Sequence, residues 1–460
     1  MSTARSGATG GKAKSPSGSS ERGNRLRFGT DGVRGAVGTE LTAEVALALG
    51  RATTRALGAQ PYVVGRDTRL SGALIQAALS AGLAAEGASA IDVGVLPTPG
   101  VAFLARHWDI AGAVISASHN PANDNGVKLF GTGGRKLKVE DETRVEAELQ
   151  RLLDVPATSA VGRIGSDVGT LTARPDAADI YVNHLTAVLG GPKLGALRVV
   201  LDCANGAASE LAPRVLRDLG ADVSALCDRP DGTNINESCG STHPQALQEA
   251  VLEEGAAVGL AFDGDADRVL AVDEQGGLVD GDQMLALFAA DRQRRGVLVG
   301  DTVVVTVMTN LGFHLAMERA GVKVVQTPVG DRWVTEAMEA GGYELGGEQS
   351  GHIVFGDLST TGDGLLTAIC LLGLIAETGE PLADMVKGAM TRLPQVLRAV
   401  TVADGNQARL EAATRVWDEV RSVEAELGDS GRVLLRASGT EPLVRVMVEA
   451  PAPAVADADY

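Results

Sequence analysis

Arg198-Val-Val-Leu-Asp-Cys-Ala-Asn-Gly206 decides the fold, because an apolar run there breaks into a turn of small and polar residues ahead of a helical segment. The same opening recurs at Tyr62-Val-Val-Gly-Arg-Asp67 and at Thr302-Val-Val-Val-Thr-Val-Met-Thr-Asn310. Apolar runs without alternation suit strands buried on both faces, and such strands alternating with helices build βαβ units in parallel or mixed sheets. Three related α/β domains are therefore expected. The last segment differs: helix-like Gln407 to Leu427 precedes strands Arg432 to Arg436 and Leu443 to Val448, which predicts a smaller α+β domain. The expected division is a disordered tail over 1–24, α/β domains over 25–187, 188–296 and 297–393, and the α+β domain over 394–460. Chains of 460 residues usually split in this way.

Each expected domain carries one motif. In the first, Ile110 to Ile115 reads as a buried strand that ends at Ser116-Ala-Ser-His-Asn-Pro121, since Pro121 cannot continue it. Ser118 falls on the turn. Asn123-Asp124-Asn125-Gly126 is a second turn signal, after which the strand Val127 to Phe130 brings Lys128 back toward the serine. No G-x-S-x-G elbow surrounds Ser118, and adjacency alone favours a plain turn role for His119.

In the second domain, Asp263-Gly-Asp-Ala-Asp-Arg268 lies between the apolar runs Val258 to Ala261 and Val269 to Val272. On extended chain, Asp263, Asp265 and Asp267 share a side and converge on a hard cation. Asp263 to Glu274 also has the length and terminal acid of an EF-hand. Arg268 stands at the glycine position, however, and the flanks are strand-like, so a calcium sensor is set aside in favour of Mg²⁺.

The remaining motifs suit a sugar and a phosphate. Gly347-Glu-Gln-Ser-Gly-His352 sets Glu348 and Ser350 where they can accept from and donate to vicinal hydroxyls. Arg436-Ala-Ser-Gly-Thr-Glu-Pro442, with Arg445 beyond it, combines guanidinium forks with hydroxyl and backbone donors.

Together with Phe28-Gly-Thr-Asp-Gly-Val-Arg-Gly35 and Gly65-Arg-Asp-Thr-Arg69, these blocks make the chain resemble the phosphoglucosamine mutases of the α-D-phosphohexomutase superfamily, over about Arg25 to Glu449. The resemblance implies that Ser118 is a phosphoserine, required for activity, whose phosphate oxygen completes an Mg²⁺ site with Asp263, Asp265 and Asp267. It implies phosphoryl transfer from Ser118 to the sugar, a bisphosphorylated intermediate, and return of the other phosphoryl group. Glucosamine 6-phosphate and glucosamine 1-phosphate are thereby interconverted, a step toward UDP-N-acetylglucosamine and the bacterial wall. Arg436, Ser438, Gly439, Thr440 and Arg445 are expected to hold the non-reacting phosphate, and Glu348 and Ser350 the ring hydroxyls. Lys128, Arg34 and Arg268 are the candidate cations about the transferring group, with His119 and Lys128 as acid/base candidates. Gln349 and Thr360-Thr-Gly-Asp-Gly364 resemble the amino-sugar branch; the alternatives weighed are a phosphomannomutase or phosphoglucomutase, and a metal-binding protein without turnover. Ala437 stands where that branch usually has proline. Pro451 and Pro453 oppose a closing helix, so a less stable, more mobile fourth domain is expected.

Composition agrees. A net charge of -18 argues against nucleic acid and requires a locally basic site for an anionic sugar phosphate. Cys203, Cys227, Cys239 and Cys370 form no C-x-x-C pair, and free thiols in a reducing cytoplasm are expected. Leu365 to Ala376 is too short to span a membrane and is read as a core helix. The first 24 residues lack an apolar signal core. Oligomeric state is left open, with a homodimer as the assembly carried forward.

Overall fold

Four sheets follow one another along the chain. They come from a computed structural model that describes residues 28–29, 32–154, 162–191, 193–402, 407–437 and 443–452. The expected N-terminal tail lies outside these residues.

In the first sheet Tyr62–Arg66 runs parallel to Ala90–Val95 and to Ala111–Ile115. Ala111–Ile115 then pairs antiparallel with Asp124–Phe130, which pairs antiparallel with Gly32–Ala36. The second sheet has Arg198–Asp202 between parallel neighbours Asp222–Leu226 and Val258–Phe262, the latter turning back as Val269–Asp273. The third has Thr302–Thr306 between parallel Lys323–Thr327 and Leu345–Gly347, the latter turning back as Ile353–Phe355. The three strands with the shared sequence opening thus take equivalent places. So do the three reversals, where a parallel strand meets an antiparallel one. Those reversals carry Ser118, the three aspartates, and Glu348 with Ser350.

Two local readings are corrected. Asp124-Asn125-Gly126 is strand, not turn, because Gly126 lets three strands close up: a Cβ there would lie 2.6 Å from the Ser116 carbonyl oxygen and 2.8 Å from that of Val33. Asp263 to Asp267 is a hairpin turn, not extended chain, with Ala266 at φ 55°.

The fourth sheet is antiparallel, with Leu443–Glu449 between Gln395–Thr401 and Arg432–Ala437. The strand Gln395–Thr401 has no counterpart in the sequence reading. Gln407 to Leu427 divides into a 3-10 segment, Gln407–Ala412, and an α-helix, Thr414–Leu427.

One continuous apolar core joins the first three domains, drawing on Val63, Leu201, Phe262, Val303 and Leu366 alike. Helix Gly364–Thr378 is buried in it, as expected for a core helix. The fourth domain has a small core of its own around Leu427, Val448 and Ala450. No single helix among the described residues is long and apolar enough to cross a membrane. Helices Ala43–Leu57 and Gly72–Ala85 cross at Gly50 and Gly82, where added Cβ atoms would lie 2.2 and 2.1 Å from the facing carbonyl oxygens of Leu79 and Leu47.

Candidate active site

Ser118 is held in a left-handed backbone conformation, φ 50°, that a non-glycine residue adopts only when its surroundings impose it. Those surroundings are polar and buried. The Ser118 N–H donates to Ser116 Oγ at 2.9 Å, and Ser116 Oγ donates to Asp67 Oδ2 at 2.6 Å. Arg69, fully buried and paired with Asp67 at 2.9 Å, spreads its guanidinium over the carbonyl oxygens of Ser118, Asn120, Pro121 and Asp124. From the second domain, Asn236 Nδ2 donates to the carbonyls of Ser118 and Asn120 at 2.9 and 3.0 Å. The turn is pinned from two domains, and its hydroxyl is aimed.

The aim is at Asp263: Ser118 Oγ donates to Asp263 Oδ2 at 2.6 Å. Asp263, Asp265 and Asp267 are all buried, each offering an oxygen within 4.8 Å of the others. The turn brings the carboxylates together where strand alternation was expected to. Burial, reinforced by the charges of Asp267 and Asp265, pushes the Asp263 carboxyl well above its usual range. Burial acts on Asp267 too, but Lys128, His352 and Arg268 outweigh it and hold that carboxyl well below its usual range.

Lys128 does return from the neighbouring strand, yet its ammonium reaches the aspartates: Nζ lies 2.6 Å from Asp265 Oδ2 and 3.0 Å from Asp267 Oδ2. Thr98 Oγ1 donates to the same Asp265 oxygen at 2.7 Å. Arg268 places Nε 3.7 Å from Asp267 Oδ1, and Arg34 donates to Asn120 Oδ1 at 3.4 Å. His119 Nδ1 sits 3.3 Å from Ser118 Oγ. Burial, then the charges of Arg268 and Arg34, lower its pKa.

Glu348 accepts from the Gly330 N–H at 3.0 Å, and burial raises its pKa. Ser350 Oγ is buried without a hydrogen-bond partner among the described residues. Gln349 points elsewhere, with its amide 3.1 Å from Gln395 Oε1 at the start of the fourth domain. Arg436 and Arg445 face each other as a cross-strand pair, an arrangement of like charges that an anion between them relieves. Burial and then Arg445 lower the Arg436 pKa, while Glu348 acts in the opposite sense. Ser438, Gly439 and Thr440 lie outside the described residues.

Sequence reasoning quoted Asp67 and Arg69 but gave them no role, and it passed over Thr98, Asn236 and Asp331. An Asp-x-Arg directly after a buried strand was the available signal for the first pair. Asp331, ion-paired with Lys136 and 3.5 Å from His352 Nε2, links the first and third domains, as does the ion pair of Glu142 with Arg332.

Three α/β layers with a serine, a carboxylate triad and a glutamate on equivalent reversals, plus an arginine-bearing fourth domain, describe a phosphohexomutase. Profiles of the phosphoglucomutase/phosphomannomutase family match residues 25–154 (alpha/beta/alpha domain I), 179–277 (domain II), 280–393 (domain III) and 397–460 (C-terminal domain), and the chain belongs to that family. Among its relatives, the phosphoglucosamine mutase of Frankia alni is 55% identical over 442 residues, covering 93% of this chain and 95% of the relative. That of Thermobifida fusca is 52% identical over 431 residues, covering 92% and 94%. Among solved structures, a phosphoglucomutase/phosphomannomutase family protein from Burkholderia thailandensis superposes with a TM-score of 0.78 at 27% identity, covering 94% of each chain. N-acetylphosphoglucosamine mutase of Aspergillus fumigatus shares the fold, with a TM-score of 0.65 at 21% identity, covering 96% of this chain and 95% of that one.

Proposed function

We propose that this chain interconverts glucosamine 6-phosphate and glucosamine 1-phosphate through phosphorylated Ser118 and a bisphosphorylated sugar. The observation that carries the reading is the Ser118 hydroxyl aimed from a pinned, left-handed turn at the buried aspartate triad. Relatives that bear the name phosphoglucosamine mutase, at 52–55% identity, support the amino sugar over mannose or glucose phosphates.

The triad fits a divalent metal. Its donors are all hard oxygens, and Asp265 Oδ1 and Asp267 Oδ1 are buried without hydrogen-bond partners among the described residues. Asp263, Asp265 and Asp267 would hold Mg²⁺ with an oxygen of phosphorylated Ser118, and the ion would neutralise charge on the transferring group.

The protein's own residues do the rest. In the forward step the Ser118 Oγ–P bond breaks and a bond forms from phosphorus to the free sugar hydroxyl. His119, kept neutral by burial and flanking cations, takes that hydroxyl's proton at Nδ1. Lys128, ion-paired to two aspartates, serves as a fixed cation together with Arg268, which shares Asp267, and with Arg34, which donates to Asn120. Glu348 and Ser350 bind ring hydroxyls, and Arg436 and Arg445 hold the distal phosphate in either sugar orientation. The free cysteines support a reducing cytoplasm as the compartment.

The test pairs Ser118→Ala with wild type in a glucosamine 6-phosphate assay, alongside intact-mass measurement after incubation with a hexose 1,6-bisphosphate. Wild type should gain one phosphoryl group, and the variant should gain none and lose turnover roughly 10³-fold or more. A variant with wild-type turnover, or a wild type that prefers mannose or glucose phosphate, would overturn the reading.

A further inference from the structure

A second cluster of reactive groups lies in the second domain, outside the site just described. Cys227, Cys239 and Asp202 bring their sulfur and oxygen atoms within 4.8 Å of one another. Cys239 and Asp202 are buried, whereas Cys227 is half-buried and reachable from solvent. Both thiols are free, and their sulfurs lie within 4.8 Å of each other. Asp202 is already used by the backbone, accepting from the Ala204 N–H at 3.0 Å and the Gly240 N–H at 2.7 Å.

The segment between the two cysteines, 228–238, reaches the catalytic serine. Its Asn236 donates to the Ser118 and Asn120 carbonyls, and its Gly232 carbonyl accepts from the Leu70 N–H at 2.8 Å. Backbone conformation is unusual along this stretch. Cys227, Asn236 and Ser238 all have φ between 48° and 59°, as do Ala204 and Asn205, within a few degrees, in the turn beneath them. Asn205 ties the two together through its N–H to the Cys227 carbonyl at 2.6 Å and its Nδ2 to the Asn234 carbonyl at 3.2 Å.

We propose that Cys227 and Cys239 are a peroxide-oxidisable dithiol whose disulfide closes the segment that holds the serine turn. The Cys227 sulfur, on the less buried of the two residues, reacts first. The Cys227 thiolate attacks one oxygen of hydrogen peroxide, an S–O bond forms, the O–O bond breaks, and hydroxide leaves. The Cys239 sulfur then attacks the Cys227 sulfur, an S–S bond forms, the S–O bond breaks, and the departing hydroxyl takes the Cys239 proton as water. Two thiols lose two electrons, and peroxide is reduced to water. The proximity of the two sulfurs acts in the required direction, lowering the Cys227 pKa against burial and the charge of Asp202 and raising that of Cys239. A metal held by the two sulfurs and Asp202 is the competing use of these atoms. The disulfide is favoured because it leaves no net charge on the buried sulfurs, while two thiolates and Asp202 would gather three negative charges with only one ion against them.

The test reads thiols rather than turnover, so its result is separate from that of the mutase reading. Full-length protein is treated with stoichiometric hydrogen peroxide, alkylated under denaturing conditions and mapped by peptide mass spectrometry. A cross-linked pair of peptides carrying Cys227 and Cys239 is expected, with Cys203 and Cys370 still alkylated and reversal by dithiothreitol. Hydrogen exchange over 228–239 should slow in the oxidised protein. In Cys239→Ser, Cys227 should stop at a dimedone-trapped sulfenic acid. Oxidation of Cys203 or Cys370 first, over-oxidised Cys227 without a cross-link in wild type, or stoichiometric Zn²⁺ bound by the untreated protein through these cysteines would overturn the proposal.

Discussion

The Ser118 hydroxyl and the Asp263 carboxylate, 145 residues apart in sequence and in different domains, are joined by a 2.6 Å hydrogen bond. Neither residue can be placed without the other domain. Ser118 is oriented by Arg69 from its own domain and by Asn236 from the next, and Asp263 is oriented by a hairpin that packs under Thr98 and Lys128. The contact therefore reports how the first two domains dock.

If the aspartates hold a divalent cation, a chelator should abolish turnover and Mg²⁺ should restore it. Asp265→Asn and Asp267→Asn each leave a coordinating oxygen but remove a charge. Half-saturating Mg²⁺ should rise by roughly 10-fold or more in either, a scale typical of disturbed metal sites. Magnesium titrations of activity check this, and unchanged half-saturation in both variants would refute the assignment.

Arg69 is buried with four carbonyls and one carboxylate as partners, so Arg69→Ala strands Asp67 as an uncompensated buried charge. A loss of about 3–5 kcal/mol is expected by urea denaturation. Arg69→Lys should recover little, because an ammonium cannot span carbonyls that a planar fork reaches at once.

Asp282, buried where the second domain meets the third, accepts from the Asn310 N–H at 2.8 Å and is pushed up to about 7 by burial and then by the charge of Asp280. The folded protein thus binds this proton more tightly than the unfolded chain, where an aspartate titrates near about 4. Stability should fall as pH rises from about 4 through 7, by on the order of 1 kcal/mol per pH unit at its steepest. Urea midpoints at pH 5.5 and 8 should differ more in wild type than in Asp282→Asn, and equal slopes would exclude Asp282 as the cause.

Gln349 marked the amino-sugar branch in the sequence, yet its amide faces Gln395 and, at 3.5 Å, Asp280. Gln395 in turn donates to Glu449, its strand partner in the fourth sheet, at 2.5 Å. Gln349→Met should therefore raise KM by a similar factor for glucosamine and glucose phosphates. A selective loss with the amino sugar would place Gln349 against the substrate instead.

What the sequence made legible follows from burial. The openings at Tyr62, Arg198 and Thr302 are strands buried on both faces, and apolar runs of that kind leave a plain signature. Ser118, the three aspartates and Glu348 were legible as motifs, and the family resemblance placed them in one interdomain cleft; residue spacing alone could not, since the meeting depends on three reversals in three sheets. The aspartates were misread as extended because alternation in sequence cannot reveal that Ala266 is left-handed. Strand Gln395–Thr401 was missed because its Arg398 and exposed Leu397 and Val400 lack a two-residue rhythm of burial. Arg69 reads as an ordinary surface cation until the carbonyls it gathers are seen.

The facing pair Arg436 and Arg445 gives the fourth domain a property the others lack. Its core is small, and on the proposed function an anion held by both arginines would add to this domain's stability by mass action. Occupancy of that site and the order of the fourth domain would then be linked.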